Sequence, residues 1–237
     1  ELGAVQTANG EYAKAETAFT KALAIHRDDE QTNYNMAIVQ LALDRPKEAL
    51  IYAQKATTLN EGNASYQYTL GLACEQNGDV DGAISAYSRS AALDKKYVKP
   101  RVNLGGLYLA NGFNDRALAV LLEAWNLEPG SFETNNNLGS VYARKEIWDK
   151  SVEHYERALV AEAGNAVARL NLARAYVGSN RFERARDTYT DLVKLNNQNW
   201  DALFELGKTL ARLEEKDLAK QRLQDLLKRN PNYAGRS

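Results

Sequence analysis

What most constrains this chain is that it repeats itself. The segments "NMAIVQ" (35–40), "TLGLAC" (69–74), "NLGGLY" (103–108), "NLGSVY" (137–142), "NLARAY" (171–176) and "ELGKTL" (205–210) stand 34 residues apart, with no insertion or deletion between them. Leu2-Gly3 opens a truncated seventh copy at the same offset. A period of this length marks an array of small units, each too small to bury its own apolar face, so neighbouring units must stack. The frame predicts a single array over 1–237: a partial unit over 1–29, full units over 30–63, 64–97, 98–131, 132–165, 166–199 and 200–233, and a tail over 234–237.

Inside each unit the pattern predicts two helices. A large apolar residue stands seventh (Met36, Leu70, Leu104, Leu138, Leu172, Leu206) and a small one follows it (Ala37, Gly71, Gly105, Gly139, Ala173, Gly207). A glycine inside a helix costs ~1 kcal/mol, so its recurrence implies close approach by another helix. Twelve places on comes a second small residue (Ala15, Ala49, Ala83, Ala117, Ser151, Ala185, Ala219). Four residues later, on the same helical face, comes Phe19, Ala53, Tyr87, Leu121, Tyr155, Tyr189 or Leu223. The turns "NGE", "NGD" and "NGF" between the two stretches suit a left-handed helix end. Each unit is predicted to be a helical hairpin. Packing should be thinner in the second unit, where Ala53 replaces the aromatic residue.

This pattern resembles the tetratricopeptide repeat, whose signature pairs Leu-Gly and Tyr on the first helix with Ala, an aromatic and Pro on the second. Pro129 and Pro231 hold the closing proline place, while Arg27, Glu61, Lys95, Ala163 and Asn197 depart from it. The resemblance implies an all-α fold, a right-handed α-solenoid whose first helices line a concave groove. It also implies a protein–protein interaction scaffold that binds a peptide or protein segment there and carries no cofactor.

Nothing in the chain points to catalysis. The two histidines, His26 and His154, lie far apart in the array, and the single Cys74 excludes a disulfide framework or a multi-cysteine metal site. Cys74 takes a place where other units carry Tyr108, Tyr142 or Tyr176, so it reads as a packed thiol. "GDVDG" (78–82) reads as an interhelical turn, not a phosphate loop. A net charge of −1 gives no general attraction to nucleic acid, and no apolar run is long enough for direct membrane insertion. Charge is nonetheless uneven, with a net of −4 over 1–131 and +3 over 132–237.

The sixth residues of the units are Asn35, Thr69, Asn103, Asn137, Asn171 and Glu205. An Asn amide offers a donor and an acceptor and can pair with the main chain of an extended peptide without reading its sequence. The resemblance places this position on the inner surface, where family members that grip peptides use such a ladder, and it adds Asn136 as an inner neighbour. The plainer alternative is that these are solvated helix residues. Asn135, at the fourth place, reads instead as an interface or helix-start residue. Other inner places carry Tyr34, Ile38, Tyr68 and Leu72 early in the array, an apolar stripe that is either exposed for a partner or buried between first helices. Late in the array they carry Arg144, Arg174, Lys208 and Arg212, which suit acidic groups, with Glu205 partly offsetting them. No three consecutive units provide the basic and asparagine set of the family's dicarboxylate clamp for chaperone tails.

Two other readings remain open. The chain opens inside a first helix, so it reads as a fragment, and the repeats would then present substrates to a catalytic domain of a larger enzyme. Alternatively, the open first repeat self-associates and the chain is a structural scaffold. A soluble protein of bacterial cytoplasm or periplasm is the expected setting, though no residue dictates it.

Overall fold

The structure is a computed structural model that describes residues 1–233. All regular structure among the described residues is α-helical, and the chain divides into two compact units that meet in sequence at Phe113 and Asn114. Unit 1 holds α1 (Leu2–Ala8), α2 (Tyr12–Ile25), α3 (Glu30–Ala42), α4 (Pro46–Leu59), α5 (Ala64–Gln76), α6 (Val80–Leu93) and α7 (Val98–Ala110). Unit 2 holds α8 (Asn114–Leu127), α9 (Phe132–Arg144), α10 (Trp148–Ala161), α11 (Ala166–Gly178), α12 (Phe182–Leu195), α13 (Trp200–Arg212) and α14 (Lys216–Arg229). In both units each helix packs on the next. Consecutive first helices also touch, α3 on α5 and α9 on α11.

Local chemistry sets the helix boundaries. Asp29, Asn63, Ser131, Asn165 and Asn199 each stand just before a first helix and accept a hydrogen bond from a backbone N–H in its first turn. Such caps are worth ~1 kcal/mol each. Tyr97, in the same place before α7, has no side-chain cap. At the other end of the first helices, positive φ recurs at one place in every repeat: Gly10, Asp44, Gly78, Gly112, Glu146, Asn180 and Glu214. The following N–H reaches back to close the helix, as from Ile147 to the Tyr142 carbonyl at 2.9 Å. Glu146 adopts φ 57° with a side chain that disfavours it. Glu146→Gly is therefore expected to raise stability by roughly 0.5–1 kcal/mol, after the larger unfolded-state freedom of glycine is set against the relieved strain. A higher urea midpoint at unchanged slope is the readout.

The recurrent small residues form the joint inside each hairpin. Ala15, Ala49, Ala83, Ala117, Ser151 and Ala185 are fully buried, and Ala219 nearly so. The glycine joint explains itself sterically. A Cβ on Gly3 would come within 2.6 Å of the Phe19 ring, on Gly71 within 2.5 Å of Tyr87, on Gly139 within 2.8 Å of Tyr155, and on Gly207 within 2.6 Å of Leu223. In the second repeat both partners are alanine. Ala37 and Ala53 are sealed in one cluster with Ala49 and Ala73, against Leu41, Leu50, Tyr52 and Leu70, so the missing aromatic there is matched by a larger residue opposite.

Candidate binding faces

In unit 1 the inner places fall on α3, α5 and α7. Tyr34, Asn35, Ile38, Tyr68, Leu72 and Asn103 are all half-buried, and Thr69 is buried. Their rings associate: Tyr34 with Tyr66 at 4.8 Å between centroids, Tyr68 with Tyr97 at 5.3 Å and with Tyr87 at 5.7 Å. The two asparagines here are already engaged. Asn35 Oδ1 accepts from Gln31 Nε2 at 3.2 Å, and Asn103 Nδ2 donates to the hydroxyls of Tyr87 at 3.2 Å and Tyr68 at 3.4 Å. Tyr87 in turn donates to Glu75 Oε2 at 2.5 Å. Tyr66, Tyr87 and Tyr97 lie outside the inner places that the repeat pattern singles out. The signal that could have found them is the crowding of tyrosines between residues 34 and 97.

Unit 2 differs. Asn136 and Asn137 on α9 and Asn171 on α11 are half-buried, and no hydrogen bond from the Asn137 or Asn171 side chain is made among the described residues. The Asn136 Oδ1 is buried without a donor. Arg144, Arg174, Lys208 and Arg212 are exposed. Arg174 lies 3.8 Å from Asp201 and Lys208 lies 3.2 Å from Glu205. Arg212 stands over the Phe182 ring at 5.4 Å. A cleft of about 20 Å³ is framed by Arg174, Asp201, Phe204, Glu205 and Tyr233, whose hydroxyl donates to Asp201 at 2.9 Å. The carboxylates beside these cations are more than Glu205 alone. Exposed pairs of this kind contribute ~0–1 kcal/mol, so either partner can be traded for a ligand group.

Asn135 has a different task. It is fully buried, and its Nδ2 donates to the carbonyls of Pro129 at 2.7 Å and Ser131 at 2.8 Å. Its Oδ1 is therefore left to accept from His154 Nδ1 at 3.0 Å, which fixes the histidine tautomer. His154 stacks on Tyr142, and burial holds its pKa below the usual imidazole value. The fourth place repeats this use in Asn33, Arg101 and Arg169, which also donate to carbonyls of the preceding turn. Cys74 is buried and its pKa is pushed up to about 11 by burial and by Asp79, far from a nucleophile's range. No cluster of metal-ligating side chains occurs among the described residues, and none of their helices is long and apolar enough to cross a membrane.

The sequence profile of the tetratricopeptide repeat matches residues 34–97, 102–166 and 170–234, and a second profile of the same repeat matches residues 1–32. The chain belongs to the tetratricopeptide repeat family. Among curated proteins, this tetratricopeptide repeat chain is 27% identical over 127 residues to anaphase-promoting complex subunit 3 of Schizosaccharomyces pombe, covering 54% of the chain and 19% of that protein. It is 29% identical over 105 residues to the BBSome complex member BBS4 of Xenopus tropicalis, covering 44% of the chain and 20% of that protein. The chain thus spans about a fifth of the length of these relatives. Solved structures share the fold. The C-terminal part of a tetratricopeptide repeat protein from Cytophaga hutchinsonii superposes with a TM-score of 0.79 at 16% identity, covering 98% of this chain and 95% of that one. YrrB, described as having an unusual peptide-binding site, superposes with a TM-score of 0.67 at 20% identity, covering 78% of this chain and 96% of that one. Tetratricopeptide repeat proteins are generally non-catalytic and bind protein or peptide partners.

Proposed function

We propose that this tetratricopeptide repeat chain is a non-enzymatic scaffold that binds a protein segment in extended form along its first helices. In unit 2, Asn137 and Asn171 hold the segment's main chain, with Asn136 beside them, while Arg144, Arg174, Lys208 and Arg212 attract its acidic side chains. In unit 1, Tyr34, Ile38, Tyr68 and Leu72 receive side chains of the partner, and Asn35 and Asn103 steady that face. The observation that carries this reading is the pair of idle amides: Asn137 and Asn171 occupy the same place on consecutive, touching first helices, partly exposed and without hydrogen bonds of their own. An amide held on a rigid helix loses little freedom when it pairs with a peptide backbone.

The test is a phage-displayed peptide selection on the wild-type chain, followed by binding of a selected peptide to the Asn137→Ala, Asn171→Ala double variant. Two lost amide–backbone contacts at about 1 kcal/mol each predict a loss of ten- to thirtyfold in affinity with unchanged helical circular dichroism. Unchanged affinity would remove the ladder from the proposal.

A further inference from the structure

The inner face of unit 1 differs from that of unit 2 in its charges as well as its aromatic rings. Helices α3 and α5 contain no Lys or Arg, and their only charged residues are Glu30 and Glu75. Both carboxylates sit at the edge of the tyrosine cluster. The Tyr66 hydroxyl lies 3.5 Å from Glu30 Oε1, and the Tyr87 hydroxyl donates to Glu75. By contrast α9, α11 and α13 carry Arg144, Arg169, Arg174, Lys208 and Arg212. In unit 1, Arg101 spends its guanidinium on the carbonyls of Ala91, Asp94 and Tyr97, and Lys99 points from the head of α7 as an exposed residue.

Resting on the reading of the first helices as a binding face, we propose that Tyr34, Tyr68 and Tyr97 seat a cationic side chain, the arginine or lysine of a bound protein segment. All three rings are half-buried: Tyr68 contacts Tyr97 at 5.3 Å between centroids, and Tyr34 holds on α3 the place that Tyr68 holds on the touching helix α5. Ring faces carry negative potential and attract a guanidinium or ammonium within about 6 Å of a centroid. Ile38 and Leu72 stand one helical turn beyond Tyr34 and Tyr68, where they meet the methylene stem of such a side chain. A purely apolar occupant would strip water from Glu30 and Glu75 and return nothing, whereas a cation offsets that cost. Asn103 acts as a positioning residue, since its amide ties the hydroxyls of Tyr68 and Tyr87 together.

The experiment uses the full chain with 13C-labelled tyrosines, titrated with N-acetyl-arginine amide and, separately, N-acetyl-leucine amide. The expected result is saturable shifts of the three tyrosine rings with the arginine probe, weakened by salt, at an affinity about tenfold above that of the leucine probe. Glu75→Gln, which leaves the rings in place, is expected to weaken the arginine probe about threefold, by the measure of a partly exposed charge pair. Tyr68→Leu is expected to abolish saturation, with its thermal melt checked for folding. Equal response to both probes, or an arginine affinity untouched by Glu75→Gln, overturns the proposal. Either failure leaves the Asn137 and Asn171 result standing, so the cation seat and the peptide-binding reading fail separately.

Discussion

Gly71→Val is expected to cost about 3 kcal/mol, one of the largest losses available to a single substitution in this chain. The Cβ alone would lie within 2.5 Å of the Tyr87 ring, which is fully buried and held at its far end by Glu75 and Asn103. Overpacking of this kind usually costs 1–3 kcal/mol, and the ring has no slack to retreat. Replacing glycine inside a helix would otherwise be favourable by up to ~1 kcal/mol, so a measured loss would report the clash against propensity. Gly130→Val is the control, because a Cβ there meets nothing within 4 Å. A second variant separates mechanism from mere sensitivity: in Gly71→Val combined with Tyr87→Ala, the two costs should sum to less than their separate values, since the removed ring frees the space that the valine needs. Urea midpoints of the four proteins would show it. Full additivity would mean that the glycine serves something other than the ring.

The repeat made the hairpins legible because helix period, small-residue joints and left-handed turns all recur at the same spacing in the sequence, and each has one steric meaning. First helices begin at Glu30, Ala64, Val98, Phe132, Ala166 and Trp200, the residues that open the units of the 34-residue frame. The candidate faces were legible only as places on a helix. Position within the frame says that Asn103 and Asn171 share a register, but not that Asn103 finds two tyrosine hydroxyls while Asn171 finds none. That difference arises at the joint: Tyr87 reaches past Gly71 to the floor of the face, and its hydroxyl meets the Asn of the next repeat. Long-range contacts of this sort depend on which residues the neighbouring helices happen to carry, so a single-repeat pattern cannot encode them. The same holds for Arg174, whose neighbour Asp201 becomes visible only once α11 and α13 lie side by side, whereas the Glu205–Lys208 pair, three residues apart on α13, was legible in the sequence.

Asn135→Ala is expected to cost about 3 kcal/mol and, with His154, to tie stability to mild acid. The substitution removes two donors from the Pro129 and Ser131 carbonyls, at the partly exposed turn, and the acceptor from the buried His154 Nδ1. Each orphaned buried group costs roughly 1–3 kcal/mol, and partial access of water to the turn keeps the sum below the upper bound. The pH effect follows from the same contact. Burial is the main force that lowers the His154 pKa; Glu153 opposes it and Arg157 and Lys150 assist it. The unfolded chain therefore takes up the imidazole proton first, near pH 6.5, while the folded chain still excludes it. Between those two values the unfolded state holds more protons, so stability falls as pH drops below about 6.5 and levels off once the folded imidazole is also charged. Asp29, whose carboxylate caps α3 and whose pKa is lowered chiefly by its hydrogen bonds to Thr32, loses its contribution only below about pH 4. The two windows are thus separable in one series of urea titrations from pH 8 to pH 3. His154→Gln should flatten the upper window and leave the lower one, because glutamine can still donate to Asn135 but has no proton to gain. If the wild-type midpoint is level between about pH 7 and pH 5, the range over which the buried His154 is expected to lower stability, then His154 is already charged or solvated in the folded protein, and the buried pair with Asn135 does not hold in solution.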